Sequence, residues 1–338
     1  MVKCGELHVL RRSEQRVSSR QDRKKKKKKS RLFKISMMIL AVLIVGGLVY
    51  AYSIYQSFQT TMDQVYEPLE GDTDKRVDVV SKKDDVKDAP PFSVLLLGVD
   101  ERESDSGRSD TMIVLTVNPA KESIKMLSIP RDTRTELAGR GTVEKINHAY
   151  AWGEVPMAVD TVENFLDIPI DYYVKVNMQG FQKIVDAVGG VTVDNPYELS
   201  ENGNTFPEGE ITLDGEEALT YTRIRYADPR GDFGRQDRQK QIIQAVIDKG
   251  ARVQSMWKFD SLFNAVGETI KTNLTFEEMV SIQKRYKGMQ HNIDQMRFEQ
   301  GTGERINGLW YYLPSEQELN DHTNTLQDHL EVDGQQDN

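Results

Sequence analysis

The chain has 338 residues, with 44 Lys and Arg against 53 Asp and Glu, a formal net charge of −9. That total hides an asymmetry: residues 1–34 carry 14 basic and 3 acidic side chains, a net of +11, whereas the rest carry 30 and 50, a net of −20. So acidic a body excludes general nucleic-acid binding, which needs broad positive surface. The single cysteine, Cys4, lies in the basic tail, so the body holds neither a disulfide nor a thiol nucleophile.

In chain order, Ile35 to Tyr55 read ISMMILAVLIVGGLVYAYSIY, without a charge. A helix of about 20 such residues spans a bilayer core. The run Lys24–Lys29 precedes it, which by the positive-inside rule leaves the tail of residues 1–34 in the cytoplasm, with Tyr50, Tyr52 and Tyr55 at the far interface. Ala51-Tyr52-Ser53 is a passable cleavage site, yet the apolar run exceeds the roughly 7–15 residues of a signal peptide, which favours an uncleaved signal-anchor. The expectation is a single-pass type II protein of the cell membrane with its body extracytoplasmic. Residues 56–91 are polar, end in Ala89-Pro90-Pro91, and read as an extracytoplasmic stalk that does not pack on the domain. The domain is expected over residues 92–319, and residues 320–338, acidic and amide-rich, as a frayed, disordered tail.

Within the domain, apolar runs at 92–100, 111–117 and 123–129 predict buried strands, the last two joined at Asn118-Pro119. A short helix or loop follows at 147–153, a helix at 157–166, a strand at 171–177 and a helix at 180–188 closed by Gly189-Gly190. Val191–Asp194 reads as a short strand, 195–210 as a loop, 215–219 as a short helix, and the alternating TYTRIRY at 220–226 as a strand. A long helix at 236–249 and further helices near 260–270 and 275–287 complete the pattern. Strands alternating with helices imply an α/β layered domain.

Five segments are dense in Arg and Asp: Asp100-Glu101-Arg102, 107–111, 129–133, Arg223-Ile224-Arg225 and 231–239. In the last four every basic residue is Arg, whose rigid, permanently charged fork fits phosphate oxygens bidentately. That choice in an acidic domain points to a polyanion such as a pyrophosphate. Asp100 and Arg131 stand at the ends of strands, where open α/β sheets bind ligands. On an extended backbone Arg223 and Arg225 share one face. On the next helix Arg235, Arg238, Gln239, Ile242 and Val246 share a stripe that begins cationic and turns apolar. The alternative is that these charges pair among themselves. Asp100, Asp110 and Asp232 are the spare carboxylates; Asp100 and Asp110 are the better placed to hold a hard cation such as Mg²⁺ with substrate phosphates, unless they pair with the arginines. His148 lacks the companions of a zinc site and reads as a structural hydrogen-bonding residue, and Ser109 lacks a histidine partner.

These motifs resemble the LytR-CpsA-Psr family: LLLGVDER, GRSDTMIVLTVNP, LSIPRDT, KINHAYAWG, IPIDYYVKVN, ALTYTRIR and GDFGRQDRQKQII, in order over roughly residues 92–250. The resemblance implies an α-β-α sandwich with a hydrophobic tunnel for a prenyl chain. It implies an enzyme that takes an anionic glycopolymer, teichoic acid-like, from undecaprenyl pyrophosphate. The polymer is joined by a phosphodiester to the C6 hydroxyl of N-acetylmuramic acid in peptidoglycan, and undecaprenyl phosphate leaves. Asp100 and Asp110 would hold Mg²⁺ (or Mn²⁺). Arg108, Arg131, Arg223, Arg225, Arg235 and Arg238 would bind phosphate oxygens, and Gln239 would support the head group. Arg108, Arg225 and Asp232 would carry the catalysis, Asp232 by orienting an arginine or assisting deprotonation of the acceptor. A phosphatase using the same pocket, a non-catalytic envelope regulator and a binding module without turnover are the competing readings. An epitope fused to the N-terminus should remain on the mature protein and sediment with membranes; its loss would show cleavage instead of anchoring.

Overall fold

The computed structural model describes residues 64–69, 77, 79, 89–101, 107–201, 203–251, 267, 269–286 and 288–332. The basic tail at 1–34, the expected span at 35–55, most of the helix expected near 260–270 and the last six residues lie outside them. No helix among the described residues is long and apolar enough to cross a membrane.

Three apolar runs make the centre of the domain: β1 (Phe92–Val99), β2 (Ser109–Asn118) and β3 (Ser123–Ile129). They form an antiparallel meander, flanked by two parallel neighbours, β6 (Tyr172–Asn177) beside β1 and β12 (Ile293–Arg297) beside β3. With β11 (Ile270–Thr272) outside β6, the order is β11-β6-β1-β2-β3-β12. Side chains alternate between the sheet faces. Leu95, Leu97 and Val99 enter one core with α1 (His148–Leu166) and α6 (Glu316–Leu330); Val94 and Leu96 enter a second core, which α4 (Asp232–Ala251) and α5 (Phe276–Arg285) cover. Helices on both faces explain why β1 and β2 read as continuous apolar runs.

The remaining elements fall at the sheet's ends. The ribbon β4 (Arg134–Leu137) and β5 (Thr142–Lys145) leads into α1, and α2 (Met178–Ala187) follows β6. A small subdomain holds β7 (Val191–Asn195) paired with β10 (Gly209–Leu213), the hairpin β8 (Leu199–Glu201) and β9 (Asn204–Phe206), and α3 (Gly215–Arg223). The segment expected as a loop at 195–210 therefore contains strands. A last hairpin, β13 (Thr302–Ile306) and β14 (Leu309–Leu313), precedes α6. The helices expected at 147–153 and 157–166 run on as α1, broken at Gly153 and at Glu154, whose φ is +54°.

Two boundaries differ from expectation. Parts of the segment expected as a free stalk pack on the domain: Val65 and Val79 are fully buried, the Glu67 N–H donates to the Thr272 carbonyl at 2.8 Å, and the Val77 N–H donates to Asp171 at 3.1 Å. A few apolar residues among many charges suffice when the edge strand β11 still has a carbonyl to offer. The stretch expected as a disordered tail is ordered through α6. Its acidic composition masks Leu326 and Leu330, one turn apart and both buried in the α1 core.

α6 also buries His329, whose Nδ1 lies 2.7 Å from Thr116 Oγ1 and whose Nε2 lies 2.9 Å from Ser123 Oγ. Burial first, then Lys125 and Lys121, pushes this imidazole from 6.5 down to about 4. The unfolded chain therefore takes up a proton between pH 6.5 and 4 that the folded chain refuses, so stability falls as pH falls through that window. The loss should approach 3 kcal/mol, roughly. Denaturant unfolding of wild type and His329→Gln from pH 7 to pH 4 should show a steeper fall for wild type; parallel curves would refute the assignment.

Candidate active site

The meander ends in an irregularity that gathers carboxylates. Gly98 pairs with Thr111 but Val99 pairs with Ser109, so Asp110 is the extra residue of a β-bulge. Bulges re-aim side chains and recur beside active sites. Pairing continues with Asp100 N–H donating to the Arg108 carbonyl at 3.2 Å. Here Gly107 takes φ +73°, and a Cβ on it would collide with the Asp100 carbonyl. Asp100 and Asp110 thus leave the same end of neighbouring strands. Just past β3, Arg131 donates to Asp110 at 2.5 Å and stands 3.7 Å from Asp132.

The second half of the site comes from α3, α4 and the turn between them. Residues 220–223 do not continue a strand, as expected, but end α3. A capping box starts that helix: Asp214 accepts from Glu217 N–H, and the Glu217 carboxylate accepts from Asp214 N–H. Arg223 and Arg225 consequently do not share a strand face. Arg223 closes the helix and lies 3.9 Å from Asp100; Arg225 follows it and lies 3.9 Å from Asp232. α4 starts at Asp232, earlier than expected, and places Arg235 2.7 Å from the same Asp232.

Between them lies a cavity of about 390 Å³. Leu96, Val174, Phe181, Ile243 and Ile247 are among its apolar walls, and Asp100, Asp110, Arg223, Arg235 and Gln239 stand in its lining with them. The stripe expected on α4 is realised in part: Arg235 and Gln239 give way to Ile242 and Val246 along the same wall, while Arg238 does not line it. Such a space suits an amphiphile with an anionic head and a hydrocarbon tail.

At the charged end Arg131 pairs with Asp110 and Asp132, Arg223 with Asp100, and Arg225 and Arg235 with Asp232. Burial, reinforced by Arg131 and Arg225, lowers the affinity of Arg235 for its proton, against the pull of Asp232 and Asp110. Its Nε is buried and has no hydrogen-bond partner among the described residues. An added anion would supply what that group lacks. For Arg131, burial lowers the proton affinity, but Asp110, Asp132 and Asp232 together raise it further. No group of three or more metal-ligating side chains occurs among the described residues. The donor set at the mouth, Asp100 and Asp110, fits Mg²⁺ nonetheless, because that ion takes one or two carboxylates and completes its shell with substrate phosphates.

Arg238 departs from expectation. Its side chain is 1 % exposed, and each of its three nitrogens donates a hydrogen bond inside the protein. Nε donates to the Tyr221 carbonyl at 2.9 Å, while the two terminal nitrogens donate to Asp228 and to the Ile224 carbonyl. It is therefore a brace behind the site and not a phosphate ligand, because its donors are drawn to the carbonyls at the end of α3 and to Asp228. Its partner Asp228 went unnoticed in the sequence, where Asp228-Pro229 reads only as a turn. Burial pushes the Asp228 carboxyl up, yet hydrogen bonds from Arg230 N–H, Arg238 and Tyr197 OH hold it down at about 2. A Cβ on Gly234 would overlap this carboxylate, which explains that glycine in the motif.

An α/β sheet that gathers arginines and carboxylates over an apolar cavity defines a protein that handles an amphiphilic polyanion. The sequence profile of the LytR_cpsA_psr family matches residues 52–328, and the chain belongs to that family. It is 49 % identical over 296 residues to the polyisoprenyl-teichoic acid–peptidoglycan teichoic acid transferase TagU of Bacillus subtilis, covering 87 % of this chain and 94 % of TagU. The crystal structure of B. subtilis TagU covers 72 % of this chain and 98 % of its own, at 50 % identity and a TM-score of 0.60. The structure of TagT bound to LIIa-WTA covers 77 % and 98 %, at 32 % identity and a TM-score of 0.64.

Removing the brace should unfold the site rather than merely empty it. Arg238→Met removes the buried guanidinium partner of Asp228 and leaves Tyr197 and Arg230 to hold the carboxylate, a loss of about 1–3 kcal/mol. Urea denaturation checks this, and a variant of wild-type stability would return Arg238 to the phosphate-binding set.

Proposed function

We propose that this chain transfers an anionic, teichoic acid-like glycopolymer from undecaprenyl pyrophosphate to peptidoglycan, in cell wall biogenesis. The polymer is linked by a phosphodiester to the C6 hydroxyl of N-acetylmuramic acid. The observation that carries this reading is one helix, α4, that supplies both the cationic end and the apolar wall of the same cavity. A pyrophosphate esterified to a prenyl chain matches both at once. The TagU relatives, named for this transfer, support it further.

In the proposed reaction the prenyl chain lies along Leu96, Val174, Ile243 and Ile247, and the pyrophosphate meets Arg223 and Arg235 in the cavity lining, with Arg108, Arg131 and Arg225 closing around it from the adjoining segments. Gln239 supports the head group. The acceptor hydroxyl attacks the phosphorus that carries the polymer; the bond to the prenyl phosphate breaks, and undecaprenyl phosphate leaves with the negative charge. Such a transfer needs positioning and charge neutralisation more than covalent chemistry. Asp232, bound to Arg235 at 2.7 Å and facing Arg225, holds those guanidinium groups in place. Asp100 and Asp110 would hold Mg²⁺, which would neutralise phosphate charge there. The apolar span at 35–55 would anchor the chain in the cell membrane with this domain outside, where a prenyl-linked donor and the wall are both in reach.

With purified full-length protein, lipid-linked donor and peptidoglycan, Arg108→Ala, Arg225→Ala and Asp232→Ala should each lower transfer by about a hundredfold or more. Folding should persist, because these side chains are at least partly exposed. Chelation of divalent cations should stop transfer, and Mg²⁺ should restore it. Polymer phosphate released without attachment to glycan would make the protein a hydrolase, and wild-type rates in all three variants would refute the site.

A further inference from the structure

An in-line displacement brings the nucleophile to phosphorus from the side opposite the leaving group. The leaving group here is the prenyl phosphate, whose chain fills a cavity walled by β1, β2, β6, α2, α3 and α4. The acceptor must therefore arrive from beyond Arg108 and Arg131, away from those elements. What stands there is the start of α1 with the β4–β5 ribbon. Ile146 N–H donates to the Thr133 carbonyl at 2.8 Å and Asn147 N–H to the Arg131 carbonyl at 3.3 Å, which fastens the first turn of α1 to the arginine-bearing segment. No residue of α1, β4 or β5 lines the cavity.

On this face Trp152 leaves 44 % of its surface in solvent. Arg140, from the turn between β4 and β5, lays its guanidinium 4.6 Å from the centre of the indole. The His148 ring lies 5.2 Å away at 48° to it. His148 Nδ1 is buried, 3.8 Å from Glu144 and without a hydrogen-bond partner among the described residues. Arg108 is near enough to lower the proton affinity of this imidazole, after burial, with Glu144 opposing. The break at Gly153 and Glu154 separates residues 148–152 from the rest of α1 and sets the indole at the surface. Such a break costs conformational energy and persists at sites that use it.

We infer that Trp152, with Arg140 and His148, is the subsite that receives the acceptor, an inference that rests on the proposed transfer. The occupant is a glycan of β-linked amino sugars bearing carboxylates. An exposed, immobilised aromatic ring with a polar neighbour takes the apolar face of a sugar ring, and Arg140 pairs with a carboxylate or carbonyl of the same strand. Continuity through Asn147 to Arg131 puts such a strand's hydroxyl groups on the open side of the phosphorus.

Two measurements on the full-length protein test this. In a Trp257→Phe, Trp310→Phe background, Trp152 fluorescence is titrated with soluble muramic acid-containing oligosaccharide. A saturable change is expected, with affinity falling about tenfold, equivalent to 1.4 kcal/mol, in Arg140→Ala. In the transfer assay, Trp152→Ala should raise the KM for glycan about tenfold and shift cleaved donor from capture by glycan towards capture by water, and Trp152→Phe should recover most of the loss. An unchanged glycan KM in Trp152→Ala, or a fluorescence change with donor polymer and none with glycan, would overturn the subsite. A wild-type protein that transfers nothing would sink the proposed function, while the titration would still decide the subsite.

Discussion

The charged end of the cavity depends on a buried ion pair that never faces it. Arg238 and Asp228 meet in the interior, and the desolvation of both charges is offset only because nearly every donor and acceptor has a partner. Tyr197 and Arg230 complete the carboxylate's shell. The guanidinium spends its other donors on two carbonyls at the end of α3. One residue thus terminates a helix, directs the segment that carries Arg223 and Arg225, and ties it to the helix that carries Arg235. Loosening that brace would let like-charged arginines spread apart, as their mutual repulsion favours. Gly234 belongs to the same device, since only a residue without Cβ lets α4 approach the carboxylate.

The parts that were legible beforehand are those that a local pattern states unambiguously. β1, β2 and β3 are short apolar runs bounded by polar turns, and a strand buried on both faces has no other appearance. The α4 stripe was legible because twelve residues, Arg235 to Val246, of 3.6-fold periodicity cannot suit a strand. TYTRIRY misled because seven alternating residues satisfy period two, whereas the decisive signal lay upstream in Asp214 and Glu217, three residues apart as a capping box requires. The tail misled for a different reason: acidity was read as disorder, although two leucines one turn apart and a buried histidine are enough to dock a helix.

What sequence could not disclose is pairing at a distance. The bulge at Asp110 exists only in the register between β1 and β2. The burial of Asp228 exists only once α3 and α4 are side by side. Arg238 shows the limit sharply, for in an Arg-rich motif chemistry alone cannot separate a ligand-binding arginine from a structural one. Arg235 and Arg238 are both nearly buried, at 8 % and 1 % exposure, but one lacks a partner at Nε and the other has none left to find.

That difference carries a general consequence for how the site works. A guanidinium already saturated by carbonyls and a carboxylate is held firmly and has nothing to gain from an anion. Those at the mouth are paired at the long separation of 3.9 Å for Arg223 and Arg225, or share one carboxylate, as Arg235 and Arg225 share Asp232. Pairing of that kind, partly exposed and long, has a strength that phosphate oxygens can displace. A tighter set of ion pairs would make a more stable empty site and a poorer receptor. The domain therefore concentrates rigidity behind the α3–α4 turn and leaves Arg223 and Arg225 on its front only loosely held, so that an incoming pyrophosphate satisfies them better than the protein does.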